Sequence, residues 1–178
     1  MDASQEPIYR SLTSSLDELV KLYRSLLDLV RKEKNLLLQA KLKDLNESNA
    51  TKEALLTKIR ATDITRERLA KELARLVGTD AKNPRLLEIA QKIQTLQGTG
   101  ASAEADHLRQ LHGVLILLIQ RVSEINKDNA QYTETALKSL SLALGEVKST
   151  LGGKKTYERK GKLNEGLNKA GNFVSKEA

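Results

Sequence analysis

Glu104 and His107 are the residues whose types and spacing come closest to a metal-binding motif. In di-iron helical bundles, two Glu-x-x-His pairs and two further glutamates bind the metal ions from the helix core. This chain has two histidines, His107 and His112, and no second Glu-x-x-His pair. The sequence therefore predicts no metal site, and we interpret the pair as the solvated start of a helix.

Motifs for other kinds of catalysis are also missing from the sequence. The chain has no cysteine, so it has no thiolate nucleophile, no disulfide and no cysteine-based zinc site. It contains neither a P-loop nor a glycine-rich dinucleotide turn, and no set of Ser, His and Asp that requires a catalytic explanation. We predict a protein that is not an enzyme and that uses no cofactor.

The composition is typical of long packed helices. Leucine supplies 32 of the 178 residues, charged residues make up 30%, aromatic residues 3%, and there are two prolines. Strands favour Val, Ile, aromatic residues and frequent turns, so a β-sandwich or a doubly wound sheet is disfavoured. The longest apolar run has six residues and the polar N-terminus does not resemble a secretory signal. These features predict a cytoplasmic all-α protein without membrane insertion.

The apolar spacing predicts four helices of roughly 32, 35, 14 and 48 residues. Residues 8–77 contain neither Gly nor Pro. One helix of that length would measure about 105 Å, which a domain of this size could not cover, so we expect a turn. The apolar spacing loses its phase at residues 39–44, and we place the turn there. Four such helices predict an elongated antiparallel helical bundle or coiled-coil hairpin.

The later helix boundaries have clearer signals. Gly78 follows the last apolar turn of the second helix and predicts its end. Asn83 and Pro84 are expected to open a third helix over residues 84–97. Ser102 can cap the fourth helix through its hydroxyl group.

The last long helix has the most regular pattern. Its apolar row advances by three and four residues from Leu108 and continues out of step from Leu137, a stutter that locally relaxes a supercoil. The run VLILLI at residues 114–119 predicts burial on more than one side of this helix. Asn49 and Asn129 interrupt apolar rows; each is interpreted either as a buried residue that fixes register or as a solvent-facing one.

The last 27 residues, 152–178, differ in composition from the preceding body, residues 1–151. They contain five glycines, seven Lys or Arg and three Glu, which predicts a flexible basic tail. A latent amphipathic row within it steps by four, three and four residues, with one aromatic residue beside it: Leu163, Leu167, Ala170 and Val174, with Phe173. Two interpretations stay open, namely a frayed helix end and a segment that folds on a partner.

Tyr157 is an aromatic residue in a glycine-rich segment with no core to join. It is either an anchor for a protein interface or an inert tail residue. Because most of the net charge of +7 comes from the tail, the body lacks the excess of basic residues that is typical of a nucleic-acid binder. We therefore predict protein partners and no nucleic acid.

Three pieces of the sequence resemble the FlgN-type flagellar export chaperones. Glu33, a Leu-rich patch, a turn and then KEALL at residues 52–56 are similar to the first hairpin of that family. INKDNAQY at residues 125–132 resembles the Asn-rich motif on the family's last long helix. Tyr157 followed by Gly161 is similar to the family's tail pattern.

The resemblance implies an all-α chaperone of the bacterial cytoplasm that holds hook–filament junction proteins before export by the flagellar type III apparatus. It implies that the C-terminal segment binds the cargo, which falls here on Leu163, Leu167, Ala170, Phe173 and Val174. It further implies that Tyr157 docks at the membrane protein of the export gate.

Three other classes of protein share parts of this pattern. A generic coiled-coil interaction or scaffold protein, without a role in secretion, would have the same helices. A nucleic-acid binder would use the Lys-rich tail and bind less tightly as salt rises. A di-iron enzyme would contain metal. The oligomeric state stays open, because the stutter and the polar centre of the second helix fit either a folded-back monomer or a homodimer.

Overall fold

The computed structural model describes residues 2–98, 100 and 102–151, and it confirms the all-α prediction. Four helices follow in order: α1 (Gln5–Leu38), α2 (Leu42–Val77), α3 (Leu86–Gln97) and α4 (Ala103–Leu151). Their lengths are 34, 36, 12 and 49 residues, close to those that the apolar spacing predicts. No strand occurs within the described residues.

The chain divides into two compact units, Met1–Asn129 and Ala130–Ala178, and α4 contributes residues to both. The predicted tail, residues 152–178, lies outside the described residues. The division of the chain into a body ending at 151 and a flexible tail stays a prediction.

The turn between α1 and α2 lies within the predicted interval and is built on a residue with a positive φ. Ala40 has φ +53°, a left-handed conformation that usually favours glycine. The backbone N–H of Ala40 donates to the Leu37 carbonyl and that of Lys41 to the Leu36 carbonyl, each at 3.1 Å. This pair of hydrogen bonds is the Schellman motif, which satisfies the last carbonyls of a helix. The hydrogen bonds end α1 although no glycine marks the position.

Gly78 ends α2 as predicted, with φ +78° and its N–H bonded to the Ala74 carbonyl. The predicted start of α3 at Pro84 is wrong by two residues. Arg85 has an extended backbone, with φ −104° and ψ 122°, and the helix begins at Leu86. The extended Arg85 allows the chain to turn so that the Leu86 side chain enters the core.

Ser102 caps α4 as predicted. Its Oγ accepts a hydrogen bond of 3.1 Å from the N–H of Ala105, one of the donors that the first turn of a helix leaves without an intrahelical partner. The residue is almost completely buried. The cap therefore fixes the start of α4 inside the first unit.

The first unit is a helical bundle with one hydrophobic core. α2 is antiparallel to α1, since the Gln5 Nε2 donates to the Leu76 carbonyl. The core includes side chains from all four helices that have almost no contact with solvent: Leu12, Leu16 and Leu19 from α1, Leu73 from α2, Ile89 and Ile93 from α3, and Leu108 from α4. Burying each such leucine contributes about 1.5–3 kcal/mol.

The prediction that the VLILLI run is buried on more than one side is wrong. Within residues 114–119 only Leu115 is buried, Leu118 is half-buried, and the other four are exposed, with Leu117 at 67%. The buried positions of α4 among the described side chains form a single stripe: Ala105, Leu108, Leu111, Leu115, Val122, Ile125 and Asn129. Six consecutive residues cover all sides of a helix, so one stripe cannot bury them together.

Candidate functional site

A polar cluster joins α1, α2 and α4 in the first unit. The Lys52 Nζ donates to Glu33 Oε2 at 2.6 Å and to Asn126 Oδ1 at 3.0 Å. The side chains of Lys52 and Glu33 are 21% and 14% exposed, so the ion pair is largely shielded from water. Each of the three residues lies on a different helix. One ammonium group therefore links the hairpin of α1 and α2 to α4.

The antiparallel hairpin explains how these residues meet. Glu33 lies near the end of α1 and Lys52 in the third turn of α2, so folding at Ala40 brings the two positions side by side. Lysine has three N–H donors and no acceptor, so it can bind a carboxylate and an amide oxygen together. Hydrogen bonds between charged groups are shorter and stronger than neutral ones, which fits the 2.6 Å distance.

A second polar contact lies one turn further along α4. Asn129 is 4% exposed, and its Nδ2 donates to the Val30 carbonyl of α1 at 3.1 Å. Nearby, the Lys34 Nζ is 3.2 Å from Asp128 Oδ2 in a more exposed ion pair. Of the two asparagines that interrupt apolar rows, Asn129 is thus buried and Asn49 is exposed. A buried asparagine with a defined partner fixes the register of neighbouring helices.

Tyr9 and His107 meet near the start of α4. The Tyr9 hydroxyl donates to the Glu104 carbonyl at 3.1 Å and lies 3.4 Å from His107 Nδ1. Burial of the phenol raises the pKa of Tyr9 to about 12, and the Glu104 and Glu6 carboxylates add to the increase. A tyrosine with this pKa stays neutral, so it serves as a hydrogen-bond donor. Among the described residues, no three His, Cys, Asp or Glu side chains are placed to hold a metal ion.

The second unit carries an exposed apolar row on α4, which we call the α4 face: Leu137, Leu140, Leu144 and Val147. Their exposed fractions run from 53% to 62%. The steps of three, four and three residues place them on one side of the helix. The sequence contained this row, but its pattern did not distinguish a core stripe from a free surface. Large leucines exposed together on one face are typical of an interaction site.

The residues that the sequence predicts for cargo binding and gate docking lie outside the described residues. These are Leu163, Leu167, Ala170, Phe173 and Val174 for the cargo and Tyr157 for the gate. Their roles stay predictions.

A comparison with known protein families matches most of the chain to one family. The family model described as FlgN protein matches residues 1–165. The chain belongs to the FlgN family. The matched range includes Glu33, Lys52, Asn126 and Asn129. It also includes the whole α4 face.

FlgN proteins are flagellar export chaperones that bind flagellar hook-associated proteins, and this chain therefore has a role of that general kind. The match ends at residue 165, so it includes Tyr157 and Leu163 but not Leu167, Ala170, Phe173 or Val174. No curated protein and no solved structure matches the chain significantly. None of the helices among the described residues is long and apolar enough to span a membrane.

Proposed function

We propose that this chain is a cytoplasmic export chaperone that binds hook–filament junction proteins and delivers them to the membrane protein of the flagellar export gate. Membership of the FlgN family supports the class of function. The observation that carries the proposal is the α4 face, an apolar row with each side chain more than half exposed. We propose that this row binds the junction protein, which is the cargo or client of the chaperone.

The chemistry of the α4 face suits an amphipathic helix of the client. Amphipathic helices dock through residues spaced by three and four, which is the spacing of Leu137, Leu140, Leu144 and Val147. Burying a large aliphatic side chain contributes about 1.5–3 kcal/mol before the cost of ordering the partner. The cost of ordering falls mainly on the client, because α4 is already helical over these residues.

The tail would extend this binding surface. Its row, Leu163, Leu167, Ala170 and Val174, has helical spacing, and Phe173 adjoins it. Glycines and charge oppose a stable isolated helix there, so folding would accompany binding and lower the affinity per unit area. A lower affinity favours release at the gate. Tyr157 lies outside the row, and we assign it to gate docking.

Two leucines of α4 provide a matched test of client capture. Leu140 belongs to the α4 face, whereas Leu142 lies two residues on, about 200° around the helix, and is similarly exposed at 64%. In the full chain, Leu140→Asp should weaken binding to a purified junction protein by about thirtyfold, or about 2 kcal/mol. Leu142→Asp introduces the same charge on the opposite side and should change the dissociation constant by less than about threefold.

Isothermal titration calorimetry measures both dissociation constants, and circular dichroism checks that both variants keep their helix content. Equal losses for the two variants would remove the α4 face from client capture. A wild-type chain that binds no junction protein would overturn the proposed function itself.

A further inference from the structure

Residues 134–150 of α4 have the spacing of a two-stranded coiled coil. In heptad terms, Leu137 and Leu144 occupy one core position, and Leu140 and Val147 occupy the other. All four side chains are exposed. Within the part of the chain that the structure describes, no helix covers this row, and a coiled coil needs a partner helix that offers a similar row.

The residues that flank this row differ on its two sides. One flanking position carries Glu134, Ser141 and Lys148. The other carries only small side chains, namely Ala136, Ala143 and Thr150. Charges at flanking positions choose the partner and the orientation of a coiled coil. Glu134 and Lys148 are the flanking charges available, and both are exposed.

An antiparallel second copy satisfies both the apolar row and these charges. When residue 142 of the two helices lies at the same level, Leu137 is opposite Val147 of the second copy and Leu140 is opposite Leu144 of the second copy. The same alignment places Glu134 beside Lys148 of the second copy. Two-fold symmetry repeats every contact, so the pair carries two such ion pairs and is self-complementary.

A parallel pair would not use these charges. In that arrangement the position of Ala136 and Ala143 faces the position of Ser141 and Lys148, so no acidic side chain meets a basic one. Charge complementarity therefore selects the antiparallel arrangement.

We propose that the α4 face pairs with the α4 face of a second copy of this chain in an antiparallel coiled coil when no client is bound. The pairing depends on residues of α4 alone. In the dimer, the surface that captures the client is covered, so the dimer must dissociate before the client binds. This consequence rests on the proposed function. The contact extends over residues 134–150, about 25 Å of helix, and such a short coil is expected to be reversible.

Reversing the two charges tests the arrangement in the full chain. Sedimentation equilibrium at low salt should show a monomer–dimer equilibrium for the wild type in the micromolar range. Glu134→Lys alone and Lys148→Glu alone each place two like charges together twice, and each should weaken the dimer about tenfold. The double variant, Glu134→Lys with Lys148→Glu, restores opposite charges and should return to within about threefold of the wild type.

Lys138→Glu is the matched control. Lys138 points away from the row and is four residues from Glu134, so the change alters charge pairing within the helix and leaves the flanking position unchanged. The Lys138→Glu variant should dimerise like the wild type. A monomeric wild-type chain, as expected if the tail covers the α4 face, would overturn the proposal. So would a double variant as weak as the single ones, or a control that is equally weak.

Adding a purified junction protein tests the consequence separately. Complexes of one chain and one client should replace the dimer as the client is added. Failure of the client to bind would overturn the proposed function and leave the self-association result unaffected. Binding of the client to an intact dimer would show that the two partners use different surfaces and would overturn the shared use of the α4 face.

Discussion

Lys52 and Glu33 are separated by 19 positions in the chain, yet the Lys52 Nζ lies 2.6 Å from Glu33 Oε2. The same ammonium group donates to Asn126 Oδ1. These three residues belong to the segments that resemble the FlgN family, and the structure joins them in one cluster. The cluster holds α4 to the first hairpin through specific hydrogen bonds. These bonds depend on direction, whereas contacts between apolar side chains do not.

Removing Lys52 should leave the Glu33 carboxylate shielded from water without its counter-charge. We expect Lys52→Met to lower the free energy of unfolding by about 1–2 kcal/mol, between the values for exposed and buried ion pairs. Lys34→Met breaks the more exposed pair with Asp128 and should cost less than about 0.5 kcal/mol. Urea unfolding of Lys52→Met, Glu33→Gln and the double variant gives the coupling energy. A value near zero would mean that the pair contributes no stability.

Leu108 and Leu117 should respond differently to the same truncation. Leu108 is fully buried, and Leu108→Ala should destabilise the fold by about 2–5 kcal/mol because it leaves a cavity. Leu117 is 67% exposed, and Leu117→Ala should stay within about 0.5 kcal/mol of the wild type. Denaturant melts of the two variants check the assignment of the VLILLI run. Similar losses would show that both sides of α4 are buried.

Tyr9 should make the fold sensitive to alkaline pH. Its pKa is raised to about 12 in the fold, mainly by burial, above an ordinary value of 10.0. The stabilisation is fully present below pH 10, where the phenol is neutral in both states. As pH rises toward about 12, the unfolded chain loses the proton first and the stabilisation disappears.

The measurement is the difference in unfolding free energy between the wild type and Tyr9→Phe as a function of pH. This difference should be constant below pH 10 and should shift in favour of Tyr9→Phe above it. A difference that does not change with pH would show that the phenol ionises equally in the folded and unfolded chains.

The tail offers a test that is independent of α4. Leu163→Asp combined with Leu167→Asp should weaken client binding at least about a hundredfold, or about 2.7 kcal/mol. The melting of the helical body should not change, because the predicted apolar rows of the body end before the tail. Calorimetry with a junction protein measures the effect. An undiminished affinity would remove the tail from client binding, whatever Leu140→Asp does.

Tyr157→Ala should separate delivery from capture. We expect unchanged client affinity, since Tyr157 lies outside the tail row, together with reduced secretion of junction proteins in flagellated cells. Tyr157→Phe keeps the aromatic ring and is the control for a contact made by the ring. Loss of client affinity in Tyr157→Ala would place this residue in the cargo site instead.

Local features of the sequence determined the helices. Apolar residues spaced by three and four positions mark one side of a single helix. This local spacing predicted four helices of nearly the observed lengths. Gly78 and Ser102 act through backbone geometry and hydrogen bonds to neighbouring residues, so their roles were also predictable. Asn83 and Pro84 were less informative, because the start of α3 depends on how Leu86 enters the core.

Only the tertiary structure decided which helix faces are covered. Asn49 and Asn129 both interrupt apolar rows, but Asn129 alone lies against a neighbouring helix, where it meets Val30. Leu140 belongs to an apolar row as regular as that of Leu108, and Leu117 lies in the longest apolar run, yet both are exposed. Periodicity shows which side chains share a side of a helix. Whether another element packs on that side depends on residues far away in the chain, and this is why the polar cluster and the α4 face became visible only in the folded structure.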